Sequence, residues 1–490
     1  MGGVRFVAAA CASAFAALLL AGSAGAVGAF GVTEDAGKYA RDGGSSFFAE
    51  LDGVGMNENA ITIYWDPSLP GGMAEPGLLD RTLPNAAAHG VRVVLTVYAA
   101  RARQFTDSPT AAAQFASFLE RLARSYPQLE DFVIGNEPNQ PRFWQPQFNP
   151  DGTEAAAAAY EELLARCYDV LKSVDPSIRV IGLGLSERGN DNPKAPSNAS
   201  TSPVRFIQTL GAAYYASGRT RPIMDALAYH PYPASSTDSI AKGLPWPNAG
   251  VANLDRIKQA VWDAFHGTAQ PTFEGGLGLV VSEIGWQVGV VAPAASVYYG
   301  SENVATTDEA TQAAIYGELV RRLSCDPTVT DLLFLHLVDE SDLSGFQSGL
   351  ERADGSRRPS YDAVKQAIAE TRGRCLGTPV TWRHATRVVG GTVAFAGRTA
   401  TARADEGATY ASAYVRVFPR RRPNLAAIDR ALTSGELDAA EGIVRAGWST
   451  AVRRPARPAR RGIYRLAVSL RASTNGERRS LFLGPALRVR

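Results

Sequence analysis

Cysteine, histidine and lysine are scarce in this 490-residue chain, which holds 4 Cys, 5 His and only 6 Lys beside 44 Arg. The Cys and His are scattered, so nothing has the spacing of a zinc site, and neither a metal nor another cofactor is expected. A glycine-rich phosphate loop is also missing. The first β-rich run leads into Gly31-Val32-Thr33-Glu34, which argues against the dinucleotide crevice of an open doubly wound sheet. There is little net charge, +2, so the whole chain is not steered toward nucleic acid or an anionic membrane. Beyond the first 26 residues no apolar run is long enough to span a bilayer. With 45% hydrophobic and 20% charged residues the chain is globular, and its length calls for two or three domains.

The N-terminus has one early charge at Arg5, an apolar run over 6–22 and the small residues Ala24-Gly25-Ala26. That pattern predicts a secretory signal peptide over 1–26 and a secreted or extracytoplasmic protein, with an uncleaved anchor as the alternative. Loss of the signal removes Cys11 and leaves Cys167, Cys325 and Cys375. Cys325 and Cys375 each follow a predicted helix and are the expected disulfide pair, whereas Cys167 lies inside a helical pattern and is expected to be a buried thiol.

From residue 29 onward, short apolar β-rich runs alternate with helical patterns for eight rounds. The predicted strands are 29–33, 60–65, 91–98, 131–135, 179–185, 226–229, 278–282 and 331–337. Helices are predicted over 110–125, 155–173, 254–265, 308–323 and 361–371, several with start signals: Asp107-Ser108-Pro109, Asn253 before Leu254, and Thr307 with Asp308 early in the first turn. Near-continuous apolar strands suit a parallel sheet covered by helices, and eight units suit a closed (β/α)8 TIM barrel over 27–375. In such a barrel the last two helices are neighbours, so the Cys325–Cys375 bridge would close about fifty residues and add about 4 kcal/mol in the chain-entropy account.

Residues 376–490 differ in kind, with 21 Arg, no Lys and 7 acidic residues. Strand-like alternation over 392–398, 410–418, 463–471 and 481–489, broken by one helical patch at 425–432, predicts a small all-β sandwich with 453–461 as an exposed loop. The Arg excess reflects either a chain-wide residue bias or weak association with a polyanion or cell wall; nucleic acid is not expected as a partner.

Two strands carry the chemistry. Phe132-Val133-Ile134-Gly135-Asn136-Glu137-Pro138-Asn139 delivers Asn136 and Glu137 at its C-terminal end, and Gly278-Leu279-Val280-Val281-Ser282-Glu283 delivers Glu283. In a barrel those ends form the catalytic face, and strands four and seven can bring their carboxylates together across its mouth. Asn-Glu-Pro alone could equally start a turn; the second glutamate on a matching strand end favours catalysis. Two carboxyl groups about 5 to 5.5 Å apart around a glycosidic bond would hydrolyse it with retention.

These motifs, with Tyr229-His230-Pro231-Tyr232 and Ser282-Glu283-Ile284-Gly285-Trp286, resemble clan A glycoside hydrolases, in wording closest to family 39, with family 5 next. The resemblance covers 29–371 and implies a secreted retaining O-glycosyl hydrolase acting on an oligo- or polysaccharide. Glu137 would be the general acid/base, Glu283 the nucleophile, and Asn136 the donor to the sugar 2-hydroxyl. Tyr232 and His230 would orient Glu283, and Trp286, Trp144, Trp65 and Tyr64 are candidate sugar platforms, with a place in the core as the alternative for Trp286 and Trp144 and the favoured reading for Trp65 and Tyr64, of which one must point outward. This sequence departs from the clan at the eighth strand, where Leu335-His336-Leu337-Val338-Asp339 stands in place of a floor tryptophan. It also lacks an early-strand Arg near the nucleophile, for which Arg101 or Arg103 are the nearest candidates. The alternative function is a catalytically inactive carbohydrate-binding protein on the same barrel, anchored by the basic C-terminal domain.

Overall fold

A computed structural model describes residues 27–74, 77–245, 247–291 and 294–382 in full, and from residue 389 onward the backbone of seven strands. The predicted signal peptide, the 425–432 helical patch and the 453–461 loop lie outside the described residues.

The first half of the barrel runs through β1 (Ala29–Thr33), α1 (Ala36–Tyr39), α2 (Ser45–Val54), β2 (Glu58–Trp65), α3 (Leu78–Ala88), β3 (Arg92–Ala99), α4 (Gln104–Asp107), α5 (Ala111–Ser125) and β4 (Asp131–Ile134). The second half continues through α6 (Ala156–Val174), β5 (Arg179–Ser186), α7 (Pro203–Ser217), β6 (Ala226–His230), α8 (Leu254–Phe265), β7 (Gly278–Val281), α9 (Glu309–Leu323), β8 (Val329–Phe334) and α10 (Pro359–Thr371). The strands pair in parallel and in chain order, and β8 closes on β1 with Ala29 beside Asp331, giving the expected (β/α)8 barrel. Helix starts follow local chemistry: the Asp308 carboxylate caps α9 by accepting from the Thr311 amide at 2.8 Å, and Pro359 opens α10.

Alternation along the strands builds the barrel interior in layers. β2 and β3 pair with Glu58 beside Arg92, Ala60 beside Val94, Thr62 beside Thr96 and Tyr64 beside Tyr98. The lowest layer is ionic: Arg92 and Arg179 meet Glu58, Asp131 and Asp331. Above it Ala60, Val94, Val133, Ile181, Ala226, Ala228, Val280 and Leu333 form a dry plug. The residues between them, such as Ile61, Leu95 and Phe132, point outward into the core beneath the helices. Charged and apolar side chains fill the lower layers of the barrel, and at the C-terminal ends of the strands it opens onto a cleft.

Cys325 and Cys375 form the expected disulfide, with Cα atoms 4.2 Å apart, and Cys167 is a buried free thiol whose pKa is raised by burial. Beside the bridge, Lys258 of α8 places its ammonium 2.7 and 2.6 Å from the two carboxylate oxygens of Asp326, and both side chains are buried. Removing one partner strands the other charge. Lys258→Met should therefore lower unfolding stability by about 3 to 5 kcal/mol in urea titrations, and adding Asp326→Asn should recover much of that loss.

Beyond the barrel, β9 (Val389–Phe395), β10 (Arg398–Ala404), β11 (Ala413–Phe418), β12 (Ala439–Ala440), β13 (Trp448–Ala451), β14 (Gly462–Arg471) and β15 (Arg479–Val489) form two sheets. Their orders are β10-β9-β13 and β12-β11-β14-β15. From residue 389 onward the described residues are all in strands. No described helix is long and apolar enough to cross a membrane.

Candidate active site

Sequence places Glu137 just beyond β4, and the backbone there turns sharply. Gly135 has φ +87° and Glu137 itself φ +38°, a left-handed conformation that costs a non-glycine residue about 1 kcal/mol or more. A side chain at Gly135 would bring a Cβ within 3.1 Å of the Tyr160 ring, so glycine is required on two counts. The turn is held by the Glu137 amide donating to Gly184 (2.9 Å) and the Gln140 amide donating to the Glu137 carbonyl (2.8 Å). Asn139, fully buried, fastens the same loop to β5 by accepting from the Ser186 amide and donating to three carbonyls.

Glu283 leaves β7 two residues past Val281 and faces Glu137. Between the two lies His230, the last residue of β6, with Nδ1 3.0 Å from Glu137 Oε1 and 3.5 Å from Glu283 Oε2. Ligand-type atoms of all three residues fall within 4.8 Å of one another. Two carboxyl groups brought this close can act on one reacting atom between them. Among the described residues these three are also the only grouping whose ligand atoms could gather on one metal ion.

Tyr232 donates to Glu283 Oε2 at 3.1 Å. Burial pushes the Glu283 pKa up and the Glu137 charge adds to this, while His230 and the Tyr232 hydroxyl oppose it. Burial pulls His230 down, but the charges of Glu283 and Glu137, with the Glu137 hydrogen bond, outweigh it and the net shift is upward. The imidazole therefore holds its proton to higher pH than a free one and screens the two carboxylates from each other. Near Glu137, buried Glu187 is pushed up to about 7 by burial, with Arg188 opposing and Glu137 adding.

On the sequence reading of Glu283 as the nucleophile, its carboxylate must be ionised to attack, and activity should rise with pH through its raised pKa. Removing a donor to its charged form raises that pKa further. Tyr232→Phe is thus expected to move the acid limb of the kcat/KM profile to higher pH. The loss should be about tenfold or more on that limb, shrinking as pH rises. An unmoved limb would remove Tyr232 from this role.

The two carboxylates open onto a cleft of about 590 Å³ that includes Asn136, Tyr64, Tyr98, Phe143 and Tyr232. Asn136 thus lines the cleft as expected, and so does Tyr64, for which the sequence favoured the core. Trp286 and Trp144 do not. Trp286 is fully buried, its indole N–H donating to the Asp238 carbonyl at 2.9 Å and its ring edge-on to Tyr316. Trp144 is 4% exposed and stacks on Phe105. Trp65 also stacks on Phe105, because the strand alternation that turns Tyr64 into the cleft sends its neighbour into the core. These three tryptophans are core residues. Aromatic rings on the cleft include Tyr64, edge-to-face with Tyr98 (5.1 Å), and Tyr98 with Phe143 (5.7 Å), together with Tyr39, Tyr232 and Phe346.

The early-strand arginine has no substitute in Arg101 or Arg103, which bind Gln104 and Asp107 away from the cleft. Asp339 is also engaged: both its oxygens bind Arg358, and Tyr298 and the Gly349 amide complete its partners. Sequence reasoning missed Glu34 and Tyr98, although both follow the rule that found Glu137, a polar or aromatic group at the C-terminal end of an apolar strand.

No family model matches the chain, and no curated protein matches it. Among solved structures, the chain is similar to a family 39 glycoside hydrolase from Bacteroides cellulosilyticus WH2, at 15% identity and a TM-score of 0.50 over 81% of this chain and 74% of that one. A family 39 enzyme from Xanthomonas axonopodis pv. citri matches at 15% identity and TM-score 0.45, over 95% and 93% of the two chains. A family 39 β-xylosidase from Caulobacter crescentus matches at 17% and 0.43, over 83% and 87%. At these identities what is shared is a fold, the barrel that carries Glu137 and Glu283, and the first of these structures bears the family name that the sequence motifs suggested.

Proposed function

We propose that this chain is a secreted retaining O-glycosyl hydrolase, acting on an oligo- or polysaccharide by double displacement. The observation that carries the reading is the approach of Glu137 and Glu283 oxygens to within 4.8 Å at the open end of the barrel. Glu283 attacks the anomeric carbon while Glu137 protonates the departing oxygen, giving a glycosyl ester on Glu283. Glu137 then removes a proton from water, which attacks the same carbon and frees Glu283. Two inversions leave the original configuration. Asn136, lining the cleft beside Glu137, donates to the 2-hydroxyl, a bond that strengthens as positive charge develops in the ring. The two C-terminal sheets pack as a β-sandwich accessory domain on this reading, and residues 1–26 direct export.

The reading is tested with a panel of activated aryl glycosides, following the first-formed anomer by proton NMR. Cleavage with retention supports it. Oligosaccharide binding without cleavage of any substrate would favour an inactive binding protein, and the inverted anomer would contradict the double displacement.

A further inference from the structure

Glu34 and His336 leave neighbouring strands at the same height. Val32 pairs with Phe334 across β1 and β8, and each of these two residues lies two positions further on. Both line the cleft. β8 sits between β7, which carries Glu283, and β1, so this wall stands beyond the nucleophile and across the barrel from Glu137. A sugar attacked by Glu283, with its leaving group toward Glu137, presents its remaining ring hydroxyls to that wall.

The two side chains have polar atoms to spare. Glu34 Oε2 accepts from the amides of Leu337 (2.8 Å) and Val338 (3.2 Å), and Oε1 has no bonded partner among the described residues. Burial, with Asp339 and Asp35 nearby, pushes Glu34 up to about 8 against those two amides. Because Oε2 receives both N–H groups, the proton belongs on Oε1, where it is a donor. Burial pushes His336 down to about 4, so its ring is neutral and offers one donor and one acceptor. Its Nδ1 is buried without a partner, which leaves Nε2 as the nitrogen a ligand can reach. Phe346 holds the ring edge-on at 6.3 Å. Asp339, close by, is already saturated by Arg358, Tyr298 and Gly349.

We propose that Glu34 and His336 are the specificity-determining pair of the glycone site, binding two adjacent hydroxyls of a neutral pyranose on the side remote from the reacting carbon. The proposal rests on the glycosidase reading. Glu283, Glu137 and Asp35 line the same cleft, and the arginine that joins them, Arg142, comes from the loop after β4 on the Glu137 side, so at the Glu34–His336 wall a uronic acid would bring one more negative charge among carboxylates and is disfavoured. An aromatic floor would select a ring by its C–H face. A carboxyl and an imidazole select it by the placement of hydroxyls, which is the stricter criterion because an unmet partner stays buried.

The test compares kcat/KM for an aryl glycoside that the wild type cleaves with that for its 3,4-dideoxy analogue, in Glu34→Leu, Glu34→Gln and His336→Phe. Glu34→Leu and His336→Phe should each cost about 10- to 100-fold on the hydroxylated substrate and less than about threefold on the dideoxy one. Glu34→Gln, which keeps the shape and a neutral donor, should recover most of the Glu34→Leu loss. Equal losses on both substrates would show a merely structural role and overturn the proposal. So would a Glu34→Gln variant as impaired as Glu34→Leu, or preference for the matching glucuronide. If the wild type cleaves nothing, the glycosidase reading itself has failed. Calorimetric affinity of the free monosaccharide for wild type and His336→Phe then decides the proposal alone, with equal affinities contradicting it.

Discussion

Glu283→Ala is expected to lower kcat/KM for every cleaved glycoside by about 10⁵-fold, the scale on which removal of a covalent nucleophile acts. The physical reason is geometric. No other described carboxylate lies within reach of both His230 and the Tyr232 hydroxyl, so nothing else can occupy the position from which the ester forms. The variant should remain folded, because it removes a buried carboxylate that faces another of like charge. Azide should restore turnover by entering the space left by the side chain, and the glycosyl azide formed in that single displacement should have the inverted configuration. Full activity in this variant would show that Glu283 is not the nucleophile.

Glu137→Ala should divide substrates by leaving group. For a poor leaving group, which needs a proton, the expected loss in kcat is about 10³- to 10⁴-fold. For a dinitrophenyl glycoside, whose leaving group departs as an anion, the first step should be little affected and the glycosyl-enzyme should accumulate as a burst. Azide again accelerates turnover, now by attack on that ester, so its product retains configuration. Opposite stereochemistry in the two azide products would separate the roles of two glutamates that are only 4.8 Å or less apart through their oxygens. A uniform loss across leaving groups would mean that Glu137 acts only in positioning.

The barrel and the two glutamates at its rim were legible in the sequence for one physical reason. Parallel strands covered on both faces read as continuous apolar runs, so a polar residue that ends such a run marks the rim of the barrel. Asn136, Glu137 and Glu283 are of this kind, and the disulfide followed from the adjacency of the last two helices. The tryptophans were not legible, because alternation of side chains ends where the strand ends. Trp286 stands five positions past Val281, and its direction is set by the Asp238 carbonyl of a loop that follows β6. Tyr64 and Trp65 posed a parity question that the register of β2 on β3 answers. The ionic layer beneath the plug was hidden for another reason: Glu58, Arg92, Asp131, Arg179 and Asp331 come from separate strands and meet only when the sheet closes.

The central claim is that Glu283 becomes covalently bonded to the sugar. The most direct measurement is intact-protein and peptide mass spectrometry after incubation with an activated 2-deoxy-2-fluoro glycoside of the sugar the enzyme prefers. The fluorine destabilises both transition states, and the reactive leaving group lets the first step outrun the second. One fluoroglycosyl unit per chain is expected, located on the peptide that holds Glu283, with activity lost in step. Steady cleavage of ordinary substrate with no adduct formed, or an adduct on another residue, would contradict it.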